Sequence, residues 1–134
     1  MKYLLLLLLS FNANAVVLNG SLASGASIAV DFNSSALALD SFTGASITAN
    51  INSSATIVGV IKLQASNDNI YPSGITKWVD VGSSSSAITA DGNVLWNISP
   101  AFYKWIRVAW INTSGTALID INYNVKSNNA GEGK

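Results

Sequence analysis

An all-β, antiparallel β-sandwich in a single domain is the fold class that this 134-residue sequence predicts, and three observations carry it. Apolar and polar residues alternate strictly in runs such as Ser46–Asn52 and Lys104–Ile111, the period of strands with one buried and one solvated face. Clusters of Gly, Asn, Asp and Ser punctuate these runs, and no stretch sustains a helical period. About eight or nine short strands in one domain mean a sandwich or a closed barrel, and at this size the sandwich, jelly-roll-like or immunoglobulin-like, is the commoner.

The elements follow in chain order. A strand is expected around Ser27–Phe32, then one over Ser46–Asn52 with Ile47, Ala49 and Ile51 pointing inward. Ile57, Gly59, Ile61 and Leu63 continue an inner face while Lys62, Gln64 and Ser66 point out, and Gly59 within that run predicts a bulge or a close crossing. Pro72 with Ser73-Gly74 marks a loop. Further strands are centred on Lys77–Val81, Ala87–Thr89, Val94–Ser99, Lys104–Ile111 and Ala117–Val125, with Pro100 ending the third of these. Asp91-Gly92 and Ser114-Gly115 are turn dipeptides, and the second predicts a hairpin between the last two strands. The expected core is Ile47, Ile51, Ile61, Leu63, Ile106, Val108, Ile119, Ile121 and Tyr123, because a one-residue slip would turn each of them to water. Ser24–Ala36 also echoes Thr43–Ala55, which chance in a Ser/Ala-rich chain or a duplicated strand-turn unit would both explain.

Residues 1–15 read as a separate object. Lys2, the apolar run Leu4–Leu9 and the small-x-small pattern Ala13-Asn14-Ala15 form a secretory signal peptide, too short for a membrane span, with a retained N-terminal element as the alternative. The domain is expected over residues 16–126, and residues 127–134 form a polar, glycine-containing, flexible tail.

Seven basic and seven acidic residues leave no net charge, so no field gathers phosphates and nucleic acid is not expected as a partner. Charged residues are only 10% of the chain, and the solvated faces must be built from Ser, Thr and Asn, a surface with little protection against self-association. With no His and no Cys, the commonest general base, the thiolate nucleophile and the usual zinc ligands are missing. No serine sits in a Gly-x-Ser-x-Gly elbow, so the chain is expected not to be an enzyme and to need no cofactor. Asn67-Asp68-Asn69 could offer oxygens to calcium, but a single carboxylate suits an Asx-type turn better, and no metal site is assigned. Five Asn-x-Ser/Thr triplets begin at Asn19, Asn33, Asn52, Asn97 and Asn112 and matter only in a glycosylating host.

Aromatic residues supply the candidate site. Strand phase puts Ile106, Val108 and Trp110 on one face and Tyr103, Trp105 and Arg107 on the other. A Tyr-Trp-Arg row is flat, amphipathic and able to hydrogen-bond, so it suits a partner interface or a glycan, unless a crossing loop covers it or Trp105 is itself the core residue. Trp78 and Trp96 are expected in the core or at its rim.

Lys62-Leu63-Gln64-Ala65-Ser66-Asn67-Asp68, Trp78-Val79-Asp80-Val81, Ser83–Ser86, Leu95-Trp96-Asn97-Ile98 and Tyr103-Lys104-Trp105-Ile106-Arg107-Val108 stand in an order that resembles small β-sandwich proteins of bacteriophages, over roughly Gly59–Val125. The Ser-Asn-Asp then Trp pattern is also similar, more weakly, to discoidin-like sandwiches that bind sugars or lipids. The first resemblance implies a virion structural protein, capsid-associated or at the surface, that meets copies of itself or other virion proteins and a host-surface glycan. The export signal implies instead a secreted carbohydrate-binding or adhesin-like module.

Overall fold

The computed structural model describes residues 15–69, 74 and 77–128. Among these residues ten strands follow one another: β1 (Ala15–Ser27), β2 (Phe32–Asn33), β3 (Leu37–Ala38), β4 (Gly44–Asn52), β5 (Val58–Ser66), β6 (Val79–Asp80), β7 (Ser86–Ile88), β8 (Gly92–Ile98), β9 (Trp105–Ser114) and β10 (Leu118–Asn128). They form two antiparallel sheets, one in the order β1-β10-β4-β8 and the other built on β9 and β5. In the second sheet β2 and β3 share one side of β9, and β6 and β7 share the outer side of β5. Counting each split edge once, the order is four strands against four with the chain passing repeatedly between them, the arrangement of a jelly roll.

Alternation places the core as expected. Ile47, Ile51, Ile61, Leu63, Ile106, Val108, Ile119 and Ile121 are all buried between the sheets, each contributing about 1.5–3 kcal/mol of apolar transfer. Tyr123 shares that face but sits at its margin, half-buried, its ring laid over Gly20 of β1 where a Cβ would collide with it. Trp110 fills the centre of the core, its indole N–H donating to the Ile28 carbonyl at 3.1 Å. Gly59 is the reason it fits, since the indole lies where a side chain on Gly59 would stand. The β5–β9 register slips by one residue between Val58 and Gly59, the expected irregularity.

Two connections differ from expectation. Ser114-Gly115 does not close a hairpin, because β9 and β10 belong to different sheets. Gly115, at φ 84°, instead carries the chain across the sandwich so that Ala117 and Ile119 meet the core from the opposite layer. The strand expected over Ser27–Phe32 is likewise broken. Ile28 leaves β1 to bury completely and donates its N–H to the Ala117 carbonyl at 3.0 Å, and the chain enters the second sheet only at Phe32. The echo between Ser24–Ala36 and Thr43–Ala55 therefore has no structural counterpart: the first segment crosses between sheets while the second is largely the single strand β4.

Residues 1–14 of the expected export signal lie outside the described residues, as do Pro72, Ser73 and residues 129–134, while Ser127 and Asn128 continue β10. Among the described residues no helix is long and apolar enough to cross a membrane.

Candidate functional site

The outer face of the six-stranded sheet gathers the polar and aromatic side chains that alternation directs away from the core. Register sets three of them in one cross-strand row: Gln64 on β5 lies opposite Asp80 on β6 and opposite Arg107 on β9. The Gln64 amide joins its neighbours, with its oxygen accepting from Arg107 Nε at 3.0 Å and Nη2 at 2.7 Å, and its Nε2 donating to Asp80 Oδ1 at 2.9 Å. Lys62 closes the other end with an ion pair to Asp80 Oδ2 at 2.6 Å. The guanidinium of Arg107 stacks over the Trp78 indole, 4.3 Å from its ring centroid, within cation–π range.

These contacts set the electrostatics. The Lys62 hydrogen bond, and then that of Gln64, hold the Asp80 carboxyl below its ordinary value despite a small opposing desolvation. Partial burial lowers the Arg107 pKa, but a guanidinium starts so high that it stays charged.

Of the row read from the sequence, Trp105 and Arg107 share the outer face, whereas Tyr103 does not extend it. Tyr103 precedes β9, at the end of a 3-10 turn over Pro100–Phe102, and packs against the core. Trp105 donates its indole N–H to the Asp68 carbonyl at 3.0 Å, which pins the Asn67-Asp68-Asn69 segment against the start of β9. Asn67 Oδ1 accepts from the Lys104 backbone N–H at 2.9 Å, its Nδ2 donates to Phe102, and Lys104 Nζ donates to Asn69 Oδ1 at 2.8 Å. The segment thus acts as a turn whose amides hold the neighbouring strand. Beside it lies an open groove of about 450 Å³, lined by Ser66, Asp68, Lys77, Val79, Asp80 and Tyr103 among others.

The remaining carboxylates are structural where their contacts are seen. Asp31, Asp91 and Asp120 each accept from a backbone N–H, of Asn112 at 2.9 Å, Ser53 at 2.7 Å and Gly25 at 2.7 Å. Among the described residues no group of three carboxylates is placed to hold a metal ion.

Sequence reasoning missed Trp78, Gln64, Lys62 and Asp80 as members of this surface. The outward phase of Lys62 and Gln64 was legible, but their partners follow from registers between distant strands. Trp78 lies in a stretch with too little alternation to show its direction.

No protein-family model matches the chain, and no curated protein matches it. Among solved structures it is similar to the SPBc2 prophage-derived protein YomS, with a TM-score of 0.54 and 14% identity, over 85% of this chain and 96% of that one. It is similar also to the structure of infectious bursal disease virus, Gx strain, at 11% identity over 87% of this chain and 33% of that one, with a TM-score of 0.45, too low to carry weight. What the chain has in common with the prophage-derived protein is its two-sheet, all-β architecture, along nearly that protein's whole length.

Proposed function

We propose that this chain is a non-enzymatic structural component of a bacteriophage particle, capsid-associated or displayed at its surface, and present there in several copies. The observation that carries this reading is the jelly-roll strand order, an architecture of viral capsid domains, in a chain whose fold likeness reaches across a prophage-derived protein. Composition supports it: no net charge and few charged residues leave little to keep copies apart.

The same architecture serves lectins, so the fold alone does not choose between a building block and a sugar-binding module. The outer face favours the former. The Trp105 N–H and the Arg107 Nε and Nη2 are already directed to acceptors within the protein, which fixes these side chains in place rather than leaving free donors for sugar hydroxyls. Trp78 and Arg107, with Trp105 beside them, would then meet another virion protein.

Mass spectrometry of purified particles from the encoding phage tests the reading. The chain should be present in multiple copies, and Trp105→Ala should reduce its incorporation more than its thermal stability. Particles that lack it, together with binding of the free monomer to soluble glycans that Arg107→Ala abolishes, would establish the secreted carbohydrate-binding module instead.

A further inference from the structure

We propose that β8 is the edge through which two copies of this chain pair, antiparallel about Leu95, into one continuous sheet. Sheet edges invite such pairing unless they are short, bulged, charged or covered. Three of the four edges here are protected. β2/β3 and β6/β7 are each split into short pieces, and the latter carries the Lys62–Asp80 ion pair. β1 is long but slips register twice, between Ser21 and Ala23 and between Ala23 and Ala26, with Gly25 at φ 56°.

β8 has none of these defences. Its seven residues, Gly92–Ile98, contain no charge and no proline. They pair with β4 in unbroken register from Ala45↔Ile98 to Ile51↔Gly92, and among the described residues no strand pairs on their other side.

The strand is also palindromic in chemistry. Asn93-Val94-Leu95-Trp96-Asn97 reads amide, apolar, leucine, apolar, amide in either direction. A two-fold axis at Leu95 therefore sets Leu95 against the second copy's Leu95 and Asn93 against the second copy's Asn97, on one face, with Val94 against Trp96 on the other. Leu95 is 61% exposed among the polar side chains of Asn93, Asn97 and its β4 neighbour Thr48, and the pairing would cover it. An open groove of about 360 Å³ lies beside the same strand, between Leu95–Ile98 and the Val81–Ser84 turn, with the exposed Phe102 in its lining. A self-complementary edge of this kind calls for a second copy of the chain as its occupant, and a neutral chain sets up no long-range repulsion against it.

The biological role of this contact rests on the building-block reading, but its existence is tested separately. The full chain should run as a dimer in size-exclusion chromatography with light scattering. Leu95→Lys, which sets like charges face to face across the axis, should weaken the dimer roughly tenfold or more, with thermal unfolding unchanged at dilutions where both forms are monomeric. Leu95→Cys should oxidise to a covalent dimer, whereas Thr48→Cys, one strand inward, should not. A monomer at all concentrations, or a dimer indifferent to Leu95→Lys, overturns the pairing. Particle-borne chains whose Leu95→Cys variant gives no covalent dimer would sink the pairing and keep the building-block reading; a solution dimer that is cross-linked through Leu95→Cys but absent from particles would do the reverse.

Discussion

Ser34 and Ser84 close the two opposite edges of the six-stranded sheet on one cross-strand row. The Ser34 hydroxyl accepts the Val108 N–H at 3.0 Å, the Ser84 hydroxyl accepts the Leu63 N–H at 3.1 Å, and Leu63 and Val108 are register partners at the sheet centre. Each serine stands where its edge is broken, between β2 and β3 or between β6 and β7, and each is buried. A side chain thus takes the place of the missing strand backbone, so the central strands keep their hydrogen bonds although neither edge is continuous. Ser84 does more, donating to the Val81 carbonyl at 2.7 Å while its own carbonyl accepts the Trp96 indole N–H from the other sheet at 2.8 Å.

Ser84→Ala should accordingly leave the Leu63 N–H buried and unpaired, a loss of about 1–3 kcal/mol. Ser34→Ala should lose a similar amount at Val108. Urea unfolding of both variants is the check, and a change within the range of ordinary surface substitutions at either site would refute this role.

Gly59→Ala should destabilise by about 1–3 kcal/mol, because the new methyl competes with the Trp110 indole and the Ile111 carbonyl. Gly82→Ala is the control. Its Cβ would meet open space, and its effect should stay within about 0.5 kcal/mol. Equal unfolding midpoints for the two variants would mean that Trp110 does not depend on the missing side chain at Gly59.

Acid should weaken the outer-face network through Asp80. Its carboxyl is depressed in the fold, so its contribution is present above the ordinary carboxylate range and is lost as pH falls through the lowered value. The carboxylate is 53% exposed, which keeps the effect below about 1 kcal/mol. Asp80→Asn should therefore be slightly less stable than the parent near neutrality, with the gap closing in strong acid. A gap that widens on acidification would contradict the Lys62–Asp80–Gln64 arrangement.

Trp78→Ala should lower stability by only about 0.5–1 kcal/mol, the worth of a cation–π contact at a partly exposed site. The Arg107–Gln64 hydrogen bonds hold the guanidinium independently of the ring, so they should persist. Arginine side-chain NMR can follow them, and loss of a distinct Arg107 Nε–H signal in the variant would show that the indole, not Gln64, orders the cation.

The inner faces were legible because alternation needs only local sequence: Ile47, Ile61, Ile106 and Ile121 are all where their phase puts them. Connections were not. A Ser-Gly pair marks a reversal without saying whether the chain re-pairs beside its own strand or crosses to the other layer, and at Gly115 it crosses. β1 went unread along most of its length, since its Ser, Gly and Ala residues carry little apolar contrast. The outer-face site was half visible. Trp105 and Arg107 could be read from phase, but the Gln64–Arg107 contact spans 43 residues and depends on which strands become neighbours.

The place of β10 governs when the fold can exist. This strand lies between β1 and β4, which come far earlier in the chain, and pairs with both along most of its length. Until it arrives neither neighbour has a partner on that side, so a chain emerging from the ribosome must wait for β10 before this sheet can close. Such pairing of distant segments makes for slow folding. It also exposes unfinished edges to other copies, in a protein whose finished surface carries few charges to hold them off.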